Sequence, residues 1–454
     1  RGRTKESIEY FTKVLNYYNH KEIRISLFGI CKLVFLVSHI FLCLYVRFLR
    51  WRKVAGDKEN EMFPMMMKKS MGLYTIDLKK FLIETINVSS FAITYDTSKI
   101  ESGASYFVGF SAIFYVSGNY RISRKILDIG KQRIKNDDVR SKLFYEMNNV
   151  LLTWLTGEQQ KYTEYDIDLV NRNIRIAEYW NIAAYILYHN HFYIEQGNIQ
   201  KVEELLNKAH EIAENYEYDF AMELQFISRT KFLMKYRKLN EGLIAVKKGI
   251  EFISSTGSVV YLQILYSINS RICLIAGNTE EAKKLLLKAE KIFTEKKIYA
   301  MHKNIYALSR FAVDLKCLEE IIRVNNKPEF DKAKKQVLRS SKNAIRNSKK
   351  VIYDSVETYR LMGIYFWLVN KQKKALNWWD KSIKEGERLG AHLELSRSYF
   401  EVGKRLLEPS SKFTALNNIQ PQEYLGKART MFEEISLQWD LDELDKVMAA
   451  KFQN

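Results

Sequence analysis

Three stretches of the chain repeat one arrangement of apolar and polar positions: GNIQKVEELLNKA from Gly197, GNTEEAKKLLLKA from Gly277 and NKQKKALNWWDKS from Asn370. Counted from the turn residue, an apolar or small side chain recurs five, nine and twelve positions on, as Val202, Leu206 and Ala209, as Ala282, Leu286 and Ala289, and as Ala375, Trp379 and Ser382. Steps of four and three return to one face of an α-helix, so each copy predicts a turn followed by an amphipathic helix. Further copies begin at Gly118 and Arg237, degenerate ones at Gly157 and Pro328, and a truncated one at Gly2; the central spacing is 40 residues.

A second helix is predicted upstream of each turn. Its large residue falls eleven positions before the turn (Phe107, Ile186, Phe226, Tyr266, Tyr359) and a smaller one usually seven before it (Ser111, Asn190, Thr230, Ser270, Gly363). Large against small one turn apart lets two antiparallel helices approach and interlock. The expected fold is all-α, a right-handed superhelix of antiparallel helix pairs. Residues 1–100 read as an irregular helical piece containing the apolar segment 25–46, 101–408 as the repeat array, and 409–454 as a loop with C-terminal capping helices. Within the first piece, AGDKENEMFP reads as a polar connector, Met65 to Met67 as gap-fillers beside it, and Thr75 to Val88 as a helix. The acidic residues Asp440, Asp442, Glu443 and Asp445 supply the polar cap that an open solenoid needs.

These columns resemble the tetratricopeptide repeat, lengthened from its usual period. A narrower resemblance lies at the end, in GERLGAHLELSRSYFEVGKRLL from Gly386 and EYLGKARTMFEEISLQWDLDEL from Glu423. These segments are similar to the C-terminal repeat region of large bacterial signalling proteins, in which a STAND-type ATPase is linked to a Ser/Thr kinase, nucleotide cyclase or other output domain. The resemblance implies a regulatory arm that binds a protein, a peptide or neighbouring domains of its own polypeptide, in the cytoplasm. The phosphate-binding loop and kinase motifs of such enzymes do not occur in this sequence, so no catalytic residue, cofactor or metal is assigned, and any catalytic part is expected upstream of Arg1.

Composition adds a bias in partner. The net charge of +19 favours an acidic partner surface. Four scattered cysteines without metal-binding spacing fit a reduced compartment and small buried side chains. His189 and His191 are two apart and so point to different sides of a helix, and Trp379 falls on a core column.

Three constellations carry candidate chemistry. The residue six before each turn is expected to face the concave groove, which places His191, Lys231 and Arg271 in one basic column, with apolar Ile194, Met234 and Leu274 beside it. Such a column suits an acidic side chain or a C-terminal carboxylate of a bound peptide; the same positions also serve to pack adjoining helices. The segment 332–350 carries Lys335, Arg339, Lys342, Arg346 and Lys349 at 4-3-4-3 spacing, one helical face that reads either as a polyanion-binding stripe or as a solvated surface. The apolar stretch 25–46, flanked by Lys21, Arg24, Arg47, Arg50, Arg52 and Lys53, reads as a buried or partner-covered helix or as a membrane-associated one.

Overall fold

The computed structural model describes residues 4–20, 22–23, 26–46, 53–295 and 300–452. The chain is all-α. It opens with α1 (Thr4–Tyr17), α2 (Leu27–Tyr45), α3 (Asp57–Ile76) and α4 (Leu78–Thr94), and two residues before α3 (β1, Lys53–Val54) pair in parallel with two after α4 (β2, Tyr95–Asp96). There follow α5 (Gly103–Gly109), α6 (Ser111–Ser117), α7 (Tyr120–Lys131), α8 (Val139–Thr156) and α9 (Ile167–Ile174). Regular pairs come next: α10 (Tyr179–Gln196) with α11 (Ile199–Asn215), α12 (Asp219–Lys235) with α13 (Leu239–Thr256), and α14 (Val259–Ile275) with α15 (Thr279–Glu295). Then come α16 (Ala300–Arg323) with α17 (Lys327–Ser348), α18 (Asp354–Leu368) with α19 (Gln372–Leu389), α20 (His392–Leu406) with α21 (Pro421–Glu434), and a last helix α22 (Gln438–Phe452).

The turn of each pair is written in two residues. Gly118, Gly157, Gly197, Arg237, Gly277, Asn325 and Asn370 all hold positive φ, between 51° and 86°. That is the left-handed residue that ends one helix. In four of these turns the next residue is an Asn that caps the following helix. Asn198 Oδ1 accepts from the Lys201 amide and Asn278 Oδ1 from the Glu281 amide, both at 3.1 Å; Asn119 and Asn326 do the same at 3.4 Å. Glycine and asparagine side by side are therefore a stop and a start. The core columns follow: Val202, Leu206, Ala209, Ala282, Leu286, Ala289, Ala375, Trp379 and Ser382 are all at most 5% exposed.

Two N-terminal expectations are corrected. AGDKENEMFP is no connector, because α3 already starts at Asp57. Glu59 Oε2 accepts the Gly56 amide at 3.0 Å, Asp57 and Glu59 lie at the positive end of the helix, and Pro64 sits inside it. Phe63 and Met66 are fully buried on the α3 face turned to α1 and α4, which outweighs the backbone hydrogen bond that Pro64 cannot donate. The helix expected over Thr75 to Val88 begins later, at Leu78, where Asp77 accepts the Lys79 and Lys80 amides at 3.1 Å, and it continues to Thr94.

α2 packs Ile40 and Cys43 against Ile93, Phe110 and Phe114. Leu27, Phe28, Val34, Phe35, Leu42 and Tyr45 remain exposed along the opposite side, and Cys31 lies exposed among them. Among the described residues no helix is long and apolar enough to cross a membrane. Ile25, Lys21, Arg24, Arg47, Arg50 and Arg52 lie outside the described residues.

The array closes on itself. The Ile352 amide donates to the Leu155 carbonyl at 3.1 Å, Gln159 Nε2 to the Leu389 carbonyl at 2.8 Å, and Arg388 Nη1 to the Gly157 carbonyl at 3.3 Å. The end of α8 is thus hydrogen-bonded to both ends of the α18–α19 pair. Gly157 is required there: φ is +70°, and a Cβ would stand 2.5 Å from Leu389 Cδ2. α10 packs on α20 across the interior, and α3 covers one mouth, where the Tyr74 hydroxyl meets His302 Nε2 at 3.1 Å.

Candidate functional site

Closure turns the expected groove into a cavity of about 80 Å³. His191, Lys231 and Arg271 come from the same position of α10, α12 and α14, and all three line it, together with Met234. Ile194 is instead fully buried in the core, and Leu274 packs between helix pairs away from the cavity. The wall is aromatic, made by Tyr74, Trp154, Trp180, Tyr188, Phe220 and Tyr261. Trp180, Phe220, His302 and Ile305 are only partly buried, so this side of the lining reaches the surface.

Sequence reasoning did not find the carboxylates that face the basic column. Asp354 and Glu357 of α18 line the same cavity, and Glu394 of α20 lies behind them. Arg271 pairs with Glu357. Lys235 Nζ lies 2.7 Å from Glu394, 3.2 Å from Glu195 and 3.5 Å from Glu357. Arg360 binds Glu394 at 2.8 Å. Arg397 holds Asp440 through two contacts at 2.8 and 3.0 Å and donates to the Lys235 carbonyl at 2.6 Å. Arg237 adds a contact to Asp440 at 3.3 Å. Asp440 is therefore no part of an exposed acidic cap: it turns inward to be a buried counter-ion, while Asp442 and Asp445 stay exposed.

The electrostatics divide this cluster. Burial opposes the charge of Glu357, yet Arg271, Lys235 and Arg360 hold it down to about 2. Glu394 is likewise kept well below the ordinary carboxylate range against burial, by Lys235, Arg360 and Arg397. Burial dominates at Glu195 and Asp354, whose carboxyls are raised despite the cations nearby. It also lowers the Lys231 ammonium, pushes His302 down to about 4 and sets His191 well below the usual imidazole range. Lys231 differs from the other cations. Its Nζ lies 3.5 Å from His191 Nδ1 and 5.1 Å from the Trp154 ring centre, and no carboxylate of the described residues is within ion-pair distance.

Of the five basic residues of the expected stripe in 332–350, Lys335, Arg339, Lys342 and Arg346 lie on α17 and Lys349 caps its end, and all five are exposed. Among the described residues no cluster of side chains has the makings of a metal site.

No protein-family model matches the chain, and no curated protein matches it in sequence. Among solved structures it is similar to a signal-transduction ATPase with numerous domains carrying a tetratricopeptide-repeat sensor, from Pyrococcus horikoshii, at 15% identity and a TM-score of 0.42. The match covers 98% of this chain, which spans 65% of that one.

Proposed function

We propose that the chain is a non-catalytic sensing and interaction arm of a larger signalling protein, working in the cytoplasm. The observation that supports it most is convergence: one position from three successive repeats, His191, Lys231 and Arg271, meets Asp354 and Glu357 from a distant repeat around one cavity. An occupant placed there touches both halves of the closed array at once. It thereby biases closure, and a protein partner or neighbouring domain reads the change. The basic balance of the chain favours an acidic surface on that partner. The test is hydrogen exchange on the full gene product in its active and inactive output states. Different protection of α18 and α20 supports the reading; identical protection, or a gene product without an output domain, overturns it.

A second reading, an adaptor for polyanions or membrane surfaces, is favoured by the five exposed cations of the stripe along α17 and its C-cap and by the exposed apolar side of α2. Heparin retention and liposome flotation at low salt test it, and failure of both removes it.

A further inference from the structure

We infer that the cavity between α8, α10, α12, α14 and α18 is the receptor site for a small organic monoanion with a flat apolar body, its carboxylate held by Lys231. This deepens the sensing function proposed above and rests on it.

Six cations (Lys231, Lys235, Arg237, Arg271, Arg360, Arg397) meet five carboxylates (Glu195, Asp354, Glu357, Glu394, Asp440) in the interior cluster. Every cation but Lys231 has a carboxylate within ion-pair distance. Lys231, 8% exposed and facing the cavity, is thus the cation held least directly: its strongest opposing charge, Asp354, lines the same cavity beyond ion-pair distance. Leaving a buried ammonium without a counter-ion is costly, and a site that retains one is built for an anion that arrives from outside.

The neighbouring polar atoms agree. Trp154 Nε1 and Arg271 Nε are buried and without a hydrogen-bond acceptor, and both residues line the cavity beside Lys231. Two donors without acceptors among the described residues, beside an ammonium whose one acceptor is the His191 ring at 3.5 Å, call for a group that only accepts, and a carboxylate offers about four lone-pair directions. The rest of the wall selects the body of the ligand. Ile227, Ile264, Ile268 and Tyr188 are apolar or present an aromatic face, and Trp154 and Trp180 suit a flat ring. The space corresponds to roughly five to eight waters at about 10–15 Å³ each, the scale of a single ring with a short acid arm. A dianion such as phosphate finds only one cation without a carboxylate at ion-pair distance, and an aromatic and aliphatic wall around it.

The test uses the full chain and calorimetric titration with phenylacetate and benzoate, against 2-phenylethanol, phenethylamine and inorganic phosphate. The expected result is binding of the acids, at least about tenfold weaker binding of the alcohol, and no binding of the amine or phosphate. Lys231→Met removes the preference for acid over alcohol while the free variant melts no lower than the parent, because a buried charge without a counter-ion has gone; Lys231→Arg retains the preference. Equal binding of acid and alcohol, or acid binding unchanged in Lys231→Met, overturns the anion assignment and leaves the cavity as a receptor site. Absence of binding by every compound at millimolar concentration overturns the ligand assignment, and the sensing function falls with it only where hydrogen exchange of α18 and α20 is also identical in the two output states.

Discussion

Lys235 and Glu394, 159 positions apart in the chain, meet at 2.7 Å in the interior, and each is the centre of its side of the charge cluster. Glu394 also receives Arg360 and Arg397, while Lys235 also holds Glu195 and Glu357. The pair ties the middle of the array to its end.

Glu394→Gln takes one carboxylate from three cations, each of which keeps another (Glu195 and Glu357 at Lys235, Glu357 at Arg360, Asp440 at Arg397), and is expected to destabilise the chain by about 1–3 kcal/mol. Urea denaturation measures it. Because both side chains are almost fully buried, the loss is expected to be insensitive to salt between 50 and 500 mM, at the order of magnitude expected for buried charges. A salt-dependent loss contradicts the buried geometry.

Gly363 and Trp379 form the tightest large-against-small contact. A Cβ at residue 363 would stand 2.1 Å from Trp379 Nε1, which itself donates to the Arg360 carbonyl at 3.2 Å. Gly363→Ala is expected to cost roughly 2–3 kcal/mol through overpacking, despite the helix propensity gained. In a double-mutant cycle with Trp379→Phe, part of that loss is recovered; strict additivity refutes the contact.

Two kinds of buried group are expected to shift stability in opposite directions over the same range, between about pH 4 and 7. Burial pushes Glu223 up to about 7 from 4.5, although Thr256 and Ser258 donate to it. Its contribution is full below 4.5 and is lost as pH rises through 7, roughly 3 kcal/mol in all. Glu223→Gln flattens that limb. The buried histidines act in the opposite direction. His302 is lowered to about 4 and His189 to about 3, both by burial, from 6.5, so their contribution is present above 6.5 and lost as pH falls toward those values. Urea midpoints from pH 4 to 9 on the parent and the variant separate the two, and a Glu223→Gln curve that parallels the parent between pH 4.5 and 7 refutes the first.

The exposed side of α2 predicts a separation between surface and core. Phe35→Ser with Leu42→Ser is expected to change stability by less than about 0.5 kcal/mol per site, since both side chains are at least half exposed, and to reduce dye binding to apolar surface. Ile40→Ala on the packed side costs about 2–5 kcal/mol. Equal losses on the two sides mean that α2 is covered in solution.

The repeat was legible because its signals are local. A glycine or asparagine in the left-handed turn, a capping asparagine after it and apolar positions five, nine and twelve on depend only on the pair that contains them. The start of α3 was missed because Pro64 and the charges of AGDKENEMFP read as loop, while the burial of Phe63 and Met66 that overrides them comes from α1, α4 and the helices beyond. His191, Lys231 and Arg271 could be placed in register, but their surroundings could not. Asp354, Glu357, Glu394 and Asp440 occupy positions that look solvated within any one pair, and only contact across the closed array makes them counter-ions. A sequence signal existed at Glu357, a carboxylate thirteen before the turn at Asn370, in a column where the earlier pairs carry Ala184, Leu224 and Ile264.

The hydrogen bonds that join Leu155, Gly157 and Gln159 to Ile352, Arg388 and Leu389 change how such a chain comes apart. An open stack of repeats melts from its ends, one unit after another, because each unit knows only its neighbours. Here an early turn after α8 and a later pair, α18–α19, share a seam, so the repeats between them are closed into one unit. The molecule is expected to unzip as a single cooperative event, with a barrier set by contacts far apart in sequence.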